Sequence, residues 1–398
     1  MNLSPEPKPF IAIACGGTGG HLFPGVAVAD QLRRRGALVA LLISPKEVDQ
    51  QAVKSIPDVE IITLPAVGLQ NRNYFSFARS FAQSWQTARK LFQRWPPQAV
   101  LAMGGFTSAP PVFAAKWSGA RTFLHESNTI PGRANRLLAR TVDEAFVGFP
   151  EAAGRLKARK INVTGTPVRS QLRAASHPDG NGAAACRTQL GLLPDRPTVL
   201  VVGGSQGASG LNQMVLSALP RLAARNWQWL HLTGNQDFAK VKSAYAAFGL
   251  TAVVRPFLAE MELALGAATA CVSRAGASFL AELAAGRLPA LLVPFPAAAD
   301  NHQFFNAAAF ARTGAAKLLE QKQATPEMVA PLLIELVEHA GSRANFQAAL
   351  GRWDAPQAAA EIAAHILQGL ARPTEAMPTV VPSAAGRSQV ADPAKATP

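Results

Sequence analysis

Cysteine is scarce: the chain has Cys15, Cys186 and Cys271, with no CxxC pair and no companion histidine spacing. An odd, scattered set excludes a disulfide framework or a zinc site and fits a reducing cytoplasm. Each cysteine reads as a small buried hydrophobe. Acidic residues are also few, 25 against 39 basic ones, leaving a net charge of +14. That excess calls for an anionic partner: nucleic acid, an anionic membrane surface or a phosphorylated substrate. Long apolar runs are missing. The longest uncharged one, Leu288 to Ala299, carries Pro289, Pro294 and Pro296 and falls short of the roughly 20 residues a spanning helix needs. The first ten residues show no signal-peptide pattern, so any membrane contact is expected to be peripheral.

Several common motifs are absent as well. Without GK[ST] there is no P-loop, and neither glycine loop completes GxGxxG, which disfavours a nicotinamide-dependent oxidoreductase. The basic residues are dispersed and match no DNA- or RNA-binding motif, so nucleic acid is not expected as a partner.

What is present is length and alternation. The 398 residues, 48% hydrophobic and 16% charged, suit two α/β domains with buried parallel sheets. A strand at Phe10–Ala14, a turn at Gly16–Gly20 and a helix from Val26 to Arg35 open the chain. Strand-like runs recur at Ala37–Ile43, Glu60–Leu64, Ala99–Met103, Thr122–Leu124 and Glu144–Val147. Ala174 to Arg196 is punctuated by Gly, Pro and Asn and reads as a crossing between domains. The opening pattern then returns: strand Thr198–Val202, turn Gly203–Ala208, helix Gly210–Leu222. Further strands are expected at Gln228–Leu232, Ala252–Val254, Ala270–Val272 and Ala290–Val293. The predicted fold is α/β, two Rossmann-like domains facing across a cleft. Residues 1–172 form the first domain, 173–196 the linker and 197–354 the second domain. A helix near 355–370 packs back on the first domain, and 371–398 is a disordered tail.

Glycine loops at strand ends let a phosphate approach the backbone, and the following helix offers free N–H groups. In the first loop, Gly16-Gly-Thr-Gly-Gly20, His21 sits at the mouth, placed as a general base. The second loop adds Ser205 and Gln206 as hydrogen-bond donors. After the strand at Ala270–Val272, Gly276 permits a tight entry into a helix, and Glu282 can accept both hydroxyls of a ribose. Asp300, Asn301, His302, Gln303 and Asn306 form a polar crowd suited to sugar hydroxyls.

Five motifs in order, GGTGGHLFPG, HESNTIPGRANR, GGSQGA, SRAGASFLAEL and PFPAAADNHQFFNA, make residues 10 to 370 resemble the MurG transferase family of bacterial peptidoglycan synthesis. The resemblance implies the GT-B glycosyltransferase architecture. It also implies inverting transfer of N-acetylglucosamine from UDP-GlcNAc to the C4 hydroxyl of the muramoyl sugar of undecaprenyl-linked muramoyl-pentapeptide (lipid I), giving lipid II. Carried over residue by residue, Thr18, Gly19 and Gly20 belong to the UDP-GlcNAc site and, with His21, border the approach of the acceptor's diphosphate and reacting hydroxyl. Asn128 and Arg169 would contact the donor from the first domain or hinge. Ser205 and Gln206 would touch its diphosphate, Leu258 the uracil region, and Ala277, Ser278, Phe279, Leu280, Ala281 and Glu282 the diphosphate and ribose. Gln303 would hold the N-acetylglucosamine. Phe279 departs from the pattern, standing where a small hydroxyl residue is expected. His21 is the candidate base, with Glu126 its rival at a strand end. The chain lacks Asp-x-Asp, the usual holder of a metal on a nucleotide sugar, so no metal or other cofactor is expected. A related transferase using UDP-galactose remains the alternative within the same architecture.

A lipid acceptor needs a docking surface. Phe77, Phe81 and Trp85 recur every four residues, on one helical face, with Arg72 and Arg79 beside them. That pattern fits either an amphipathic membrane-surface helix or a core-facing stripe. The implied partners are UDP-GlcNAc, lipid I and an anionic membrane surface, with other cell-wall enzymes as candidates. The implied location is peripheral, on the cytoplasmic face of the inner membrane.

Overall fold

The computed structural model describes residues 8–46, 49–50, 53, 59–65, 74–175, 182–204 and 207–371. Among them the chain forms two parallel sheets. The first holds β1 (Phe10–Ala14), β2 (Leu38–Ile43), β3 (Glu60–Thr63), β4 (Ala99–Ala102), β5 (Arg121–Glu126), β6 (Glu144–Val147) and β7 (Ile161–Val163), in the order β3-β2-β1-β4-β5-β6-β7. The second holds β8 (Thr198–Val202), β9 (Gln228–Leu232), β10 (Ala252–Arg255), β11 (Ala270–Ser273), β12 (Ala290–Leu292) and β13 (Lys317–Leu318), in the order β10-β9-β8-β11-β12-β13. Both faces of each sheet are covered, which is why the central strands read as unbroken apolar runs. Along β1, Ile11 and Ile13 enter one core layer while Ala12 and Ala14 enter the other. Val199 and Val201 divide from Leu200 and Val202 in the same way along β8. The edge strands β7 and β13 are short and only partly buried, and no apolar run marks them in the sequence.

The first helix runs from Gly19 to Arg34, with Pro24 inside it, and so starts well before Val26. The carbonyl of Thr18 accepts from the amides of His21 and Leu22 at 3.0 and 3.1 Å, which brings the first turn directly onto the glycine loop.

The crossing between domains is shorter than its composition suggests. Helix Ser170–Ala175 places Leu172 in the core of the second domain, and helix Gly182–Gln189 adds Cys186 to it, followed by Leu190 and Leu192. Both helices pack on the helix Met261–Ala267. Four-residue spacing of Cys186 and Leu190 gives this stretch an apolar edge that its flanking glycines and prolines hide. The chain passes between sheets near Gly165, whose φ is +79°. A Cβ there would stand 2.3 Å from that of Ala355, where the chain returns. Arg173 and Asp354 join the two passes at 2.6 Å. The returning helix Ala358–Ala371 packs on helix Gly19–Arg34, and Ile362, Ala363 and Ile366 complete the first domain's core. The tail beyond Ala371 lies outside the described residues.

Candidate active site

In an open parallel sheet, ligands bind at the carboxyl ends of strands where the strand order reverses. The first sheet reverses between β1 and β4, the second between β8 and β11. Gly16–Gly20 follows β1 and Gly104–Gly105 follows β4; Gly203–Gly207 follows β8 and Gly276 follows β11. Helix Gly19–Arg34 packs on helix Ala277–Ala285, so the two reversal points face each other across the domain junction.

The first loop is shaped by close packing. A Cβ on Gly16 would meet the amide nitrogen of Ser44 at 2.3 Å. Gly17, at φ +111°, donates its N–H to Asp49 Oδ2 at 2.6 Å. Thr107 donates its hydroxyl to the carbonyl of Gly16 at 2.7 Å. Thr18 is exposed at the N-cap without a side-chain capping bond. Gly19 and Gly20 begin the helix, where amides lack intrahelical partners and the dipole is positive.

The His21 ring rests on Gly104 and Gly105. Added Cβ atoms there would lie 2.9 Å from Cε1 and 3.2 Å from Cδ2. Its Nδ1 is sealed from solvent and has no hydrogen-bond partner in the protein. Burial pushes the imidazole below its ordinary range, with His302 acting in the same direction. The charges of Glu126 and Asp49 pull it back up. A neutral imidazole keeps one lone pair available to accept a proton.

Glu126, the rival base, has a different employment. It is 2% exposed. Oε1 accepts from the backbone and side-chain nitrogens of Asn128 at 2.8 and 3.1 Å. Oε2 accepts from the Gly132 amide at 2.9 Å and from Asn135 Nδ2 at 2.8 Å. Four donors fill the acceptor sites of a carboxylate, so Glu126 staples the loop after β5 and has no free lone pair for a substrate proton. Asn128 is half-buried, and its Oδ1 receives the amide of Asn306.

On the opposite side Ser205 and Gln206 lie outside the described residues. Their flanks are tight: Gly207 has φ +76°, and a Cβ on it would meet the carbonyl oxygen of Thr233 at 2.2 Å. Gly276 caps the helix Ala277–Ala285. Ser278, Phe279 and Ala281 are half-buried, Phe279 packed against the core beneath. Ala277, Leu280 and Leu258 are core side chains, which leaves their backbones to meet a ligand. Burial raises the Glu282 carboxyl to about 7, against the pull of Arg169. The Arg169 guanidinium lies 4.1 Å from the centre of the Phe23 ring, and its Nε and Nη2 have no hydrogen-bond partner in the protein. Arg169, just past the crossing at Gly165, and Glu282 thus share the domain junction.

Gln303 accepts through Oε1 from the amides of Ala275 and Phe295 at 3.2 and 3.0 Å. The polar crowd around it is not one surface. Asp300 pairs with Arg133 and Arg136 of the first domain. Asn306, read from the sequence as a sugar contact, is fully buried and bonded to protein on all sides.

Residues 11–147 match the glycosyltransferase family 28 N-terminal domain, and residues 198–365 match the family's C-terminal domain. A relative from Anaeromyxobacter sp. (strain K) is named UDP-N-acetylglucosamine--N-acetylmuramyl-(pentapeptide) pyrophosphoryl-undecaprenol N-acetylglucosamine transferase. It is 38% identical over 362 residues, 88% of this chain and 90% of the relative. A protein of the same name from Synechococcus sp. (strain RCC307) is 39% identical over 316 residues, 79% of this chain and 83% of the relative. The chain belongs to this transferase family. Among solved structures, MurG of Acinetobacter baumannii superposes with a TM-score of 0.67 at 26% identity, over 91% of this chain and all of that one. A putative UDP-N-acetylglucosamine 2-epimerase from Listeria monocytogenes matches at 0.66 with 15% identity over 91% of this chain and 97% of that one, a likeness of fold alone.

The aromatic stripe of this family member is divided between core and surface. On helix Tyr74–Arg94, Phe77, Phe81 and Trp85 are each half-buried, and Phe81 packs on Phe113 at 6.3 Å between ring centres. Phe81, Trp85, Phe113, Lys116 and Trp117 line an open apolar concavity. Phe75 and Trp117 are the exposed aromatics here, at 82% and 75%. Arg79 is exposed, and Arg72 lies outside the described residues. Among the described residues no helix is long and apolar enough to cross a membrane.

Sequence reasoning missed Gly104–Gly105, Asp49 and Asn135. The diglycine after β4 carried a usable signal, the same strand–Gly–Gly pattern as the two recognised loops. Asn135 lay inside the HESNTIPGRANR motif without being singled out, and Asp49 carried no signal.

Proposed function

We propose that the chain moves N-acetylglucosamine from UDP-GlcNAc to the C4 hydroxyl of the muramoyl sugar of undecaprenyl-pyrophosphoryl-N-acetylmuramoyl-pentapeptide. The observation that carries the mechanism is His21, held neutral on a diglycine at one reversal point, opposite Glu282 and Arg169 at the other. His21 takes the C4 hydroxyl proton as that oxygen attacks C1 of the donor sugar. The bond from C1 to the diphosphate oxygen breaks, UDP leaves with the electron pair, and the anomeric centre inverts. Glu282 binds the ribose, and the backbones from Ala277 to Ala281 approach the diphosphate. The helix N-terminus at Gly276 and the unpaired nitrogens of Arg169 meet the charge of the departing UDP, which favours turnover without a metal ion. Gln303 retains its NH2 group for the sugar, while Thr18, Gly19 and Gly20 line the acceptor side.

The aromatic face around Trp117 serves as the membrane-docking surface, on the cytoplasmic leaflet. Arg89 lies over the rings of Trp85 and Trp117 at 5.5 and 5.9 Å, placing cation and indole together as anionic headgroups require. The test offers UDP-GlcNAc and UDP-galactose in competition with the lipid-linked muramoyl acceptor. The expected product carries N-acetylglucosamine; galactose incorporation at a comparable rate would refute the donor assignment.

A further inference from the structure

Asn306 stands on the helix His302–Arg312 of the second domain, and its amide uses its full hydrogen-bonding capacity. Oδ1 accepts from the amide and the hydroxyl of Thr129, each at 2.9 Å. Nδ2 donates to Asn128 Oδ1 at 3.0 Å and to the Ala275 carbonyl at 3.1 Å. Asn128 and Thr129 belong to the loop after β5 in the first domain. Ala275 belongs to the loop after β11, beside the helix that bears Glu282. One side chain therefore spans both substrate-facing loops.

The chain of contacts continues toward His21. Asn128 donates to Glu126, and Glu126 accepts from Asn135. A Cβ added to Gly104 would stand 2.9 Å from the His21 ring and 3.1 Å from Asn135 Nδ2, so both lie against the same glycine. Other contacts of the Asn306 helix join the domains outside these loops: Phe310 packs with Phe149 and Trp353, and Arg312 pairs with Glu151. The ring contacts supply area, which tolerates small sliding because apolar attraction is non-directional, and the Arg312–Glu151 pair is solvent-exposed and screened. A buried amide behaves differently. It is favourable only when each of its groups finds a partner at hydrogen-bonding distance, and a small displacement leaves several unpaired.

We infer that Asn306 is a positioning residue for glycosyl transfer, a clasp that sets the acceptor-side loop in register with the donor-side loop. The inference rests on the assignment of His21 and Glu282 to opposite substrates. It requires the closed register for chemistry and not for binding of the nucleotide, which the second domain contacts on its own elements.

The experiment compares Asn306→Ala, Thr129→Val and the double variant in the full chain, reading kcat, donor KM, equilibrium UDP affinity and thermal stability. Misplacement of reacting groups by about 1 Å costs on the order of 10²-fold in rate, and a loss of that order in kcat is expected for Asn306→Ala. UDP affinity should stay within about threefold, a change of less than one hydrogen bond. Thr129→Val, which deletes one hydroxyl of the clasp, should lower kcat in the same direction by a smaller factor. The double variant should be no slower than Asn306→Ala, because both substitutions open one device. UDP affinity falling in step with kcat would mark Asn306 as a ligand contact and overturn the inference. Independent, multiplying effects would overturn it too, as would parental kcat in either single variant. If Asn306→Ala does not fold, Thr129→Val alone decides. The acid limb of kcat tests His21 separately and should be unmoved in Thr129→Val.

Discussion

Asn135 donates its side-chain amide to Glu126 at 2.8 Å, beside the same Gly104 against which the His21 ring rests. This bond holds the negative charge that most strongly opposes the effect of burial on His21. On the proposed assignment of His21 as base, Glu126 serves the base without being one. Its two tasks, stapling the loop after β5 and supporting the imidazole's basicity, separate in a single variant. In Glu126→Gln, an NH2 group would face donors that now meet a carboxylate oxygen, and kcat should fall. The acid limb of the kcat profile should move to lower pH, because the field that raises the His21 pKa is gone. Were Glu126 the base, the limb would vanish. A pH–rate series on parent and variant distinguishes the two.

His21→Ala should lower kcat by about 10² to 10⁴, the usual contribution of a positioned general base. UDP affinity should be retained, since the proposed UDP contacts, Glu282 and the N-terminus of its helix, lie in the other domain. Steady-state kinetics beside equilibrium UDP titration check both statements, and unchanged turnover would remove His21 from the mechanism.

Burial raises the Glu282 carboxyl to about 7, against the opposing charge of Arg169. On the proposed donor placement the ionised carboxylate accepts the ribose hydroxyls, whereas the protonated form has fewer acceptor positions. Donor KM should therefore fall as pH rises from 6 to 8, and Glu282→Gln should flatten that dependence. The stability consequence has the opposite sense. A carboxyl raised from 4.5 to about 7 by folding holds its proton more tightly in the native state. Its contribution to stability is present below pH 4.5 and declines as pH climbs through 7. The melting temperature of the ligand-free protein should fall across that window less steeply in Glu282→Gln.

Charge reversal at Arg79 combined with Trp117→Glu should weaken sedimentation with anionic vesicles while leaving UDP affinity unchanged. The parent's binding should also decline with salt, as expected for headgroup attraction. Binding that survives the double substitution would place the docking surface elsewhere.

Turnover should persist in EDTA and gain nothing from magnesium. In the proposed donor position, the Gly276 helix N-terminus and the unpaired nitrogens of Arg169 would face the leaving diphosphate. Activity abolished by the chelator and restored by magnesium would contradict that arrangement.

Much of this protein was legible before folding was considered. Apolar runs bounded by glycine pairs located both reversal points, because parallel strands buried on two faces must be apolar and a phosphate-approachable loop must be bare of Cβ atoms. The order of motifs indicated the family and placed His21 and Glu282 at strand or helix ends. Local pattern also misled in places. Glycines and prolines hid the helix Gly182–Gln189, and helical spacing left Phe81 and Trp85 undecided between core and surface, whereas the folded chain uses them for both.

Partnership across long sequence separations was beyond that reading. Glu126 and Asn306 are ordinary polar residues at loop and helix positions, and nothing local distinguishes a catalytic carboxylate from one that accepts four protein donors. Whether such a group faces a ligand or closes a joint depends on which atoms the fold brings to it. Asn306 meets Thr129 and Asn128 over more than 170 intervening positions. The glycine loops and their chemistry were written in the order of residues; the division of labour among the side chains around them arose only when two sheets met.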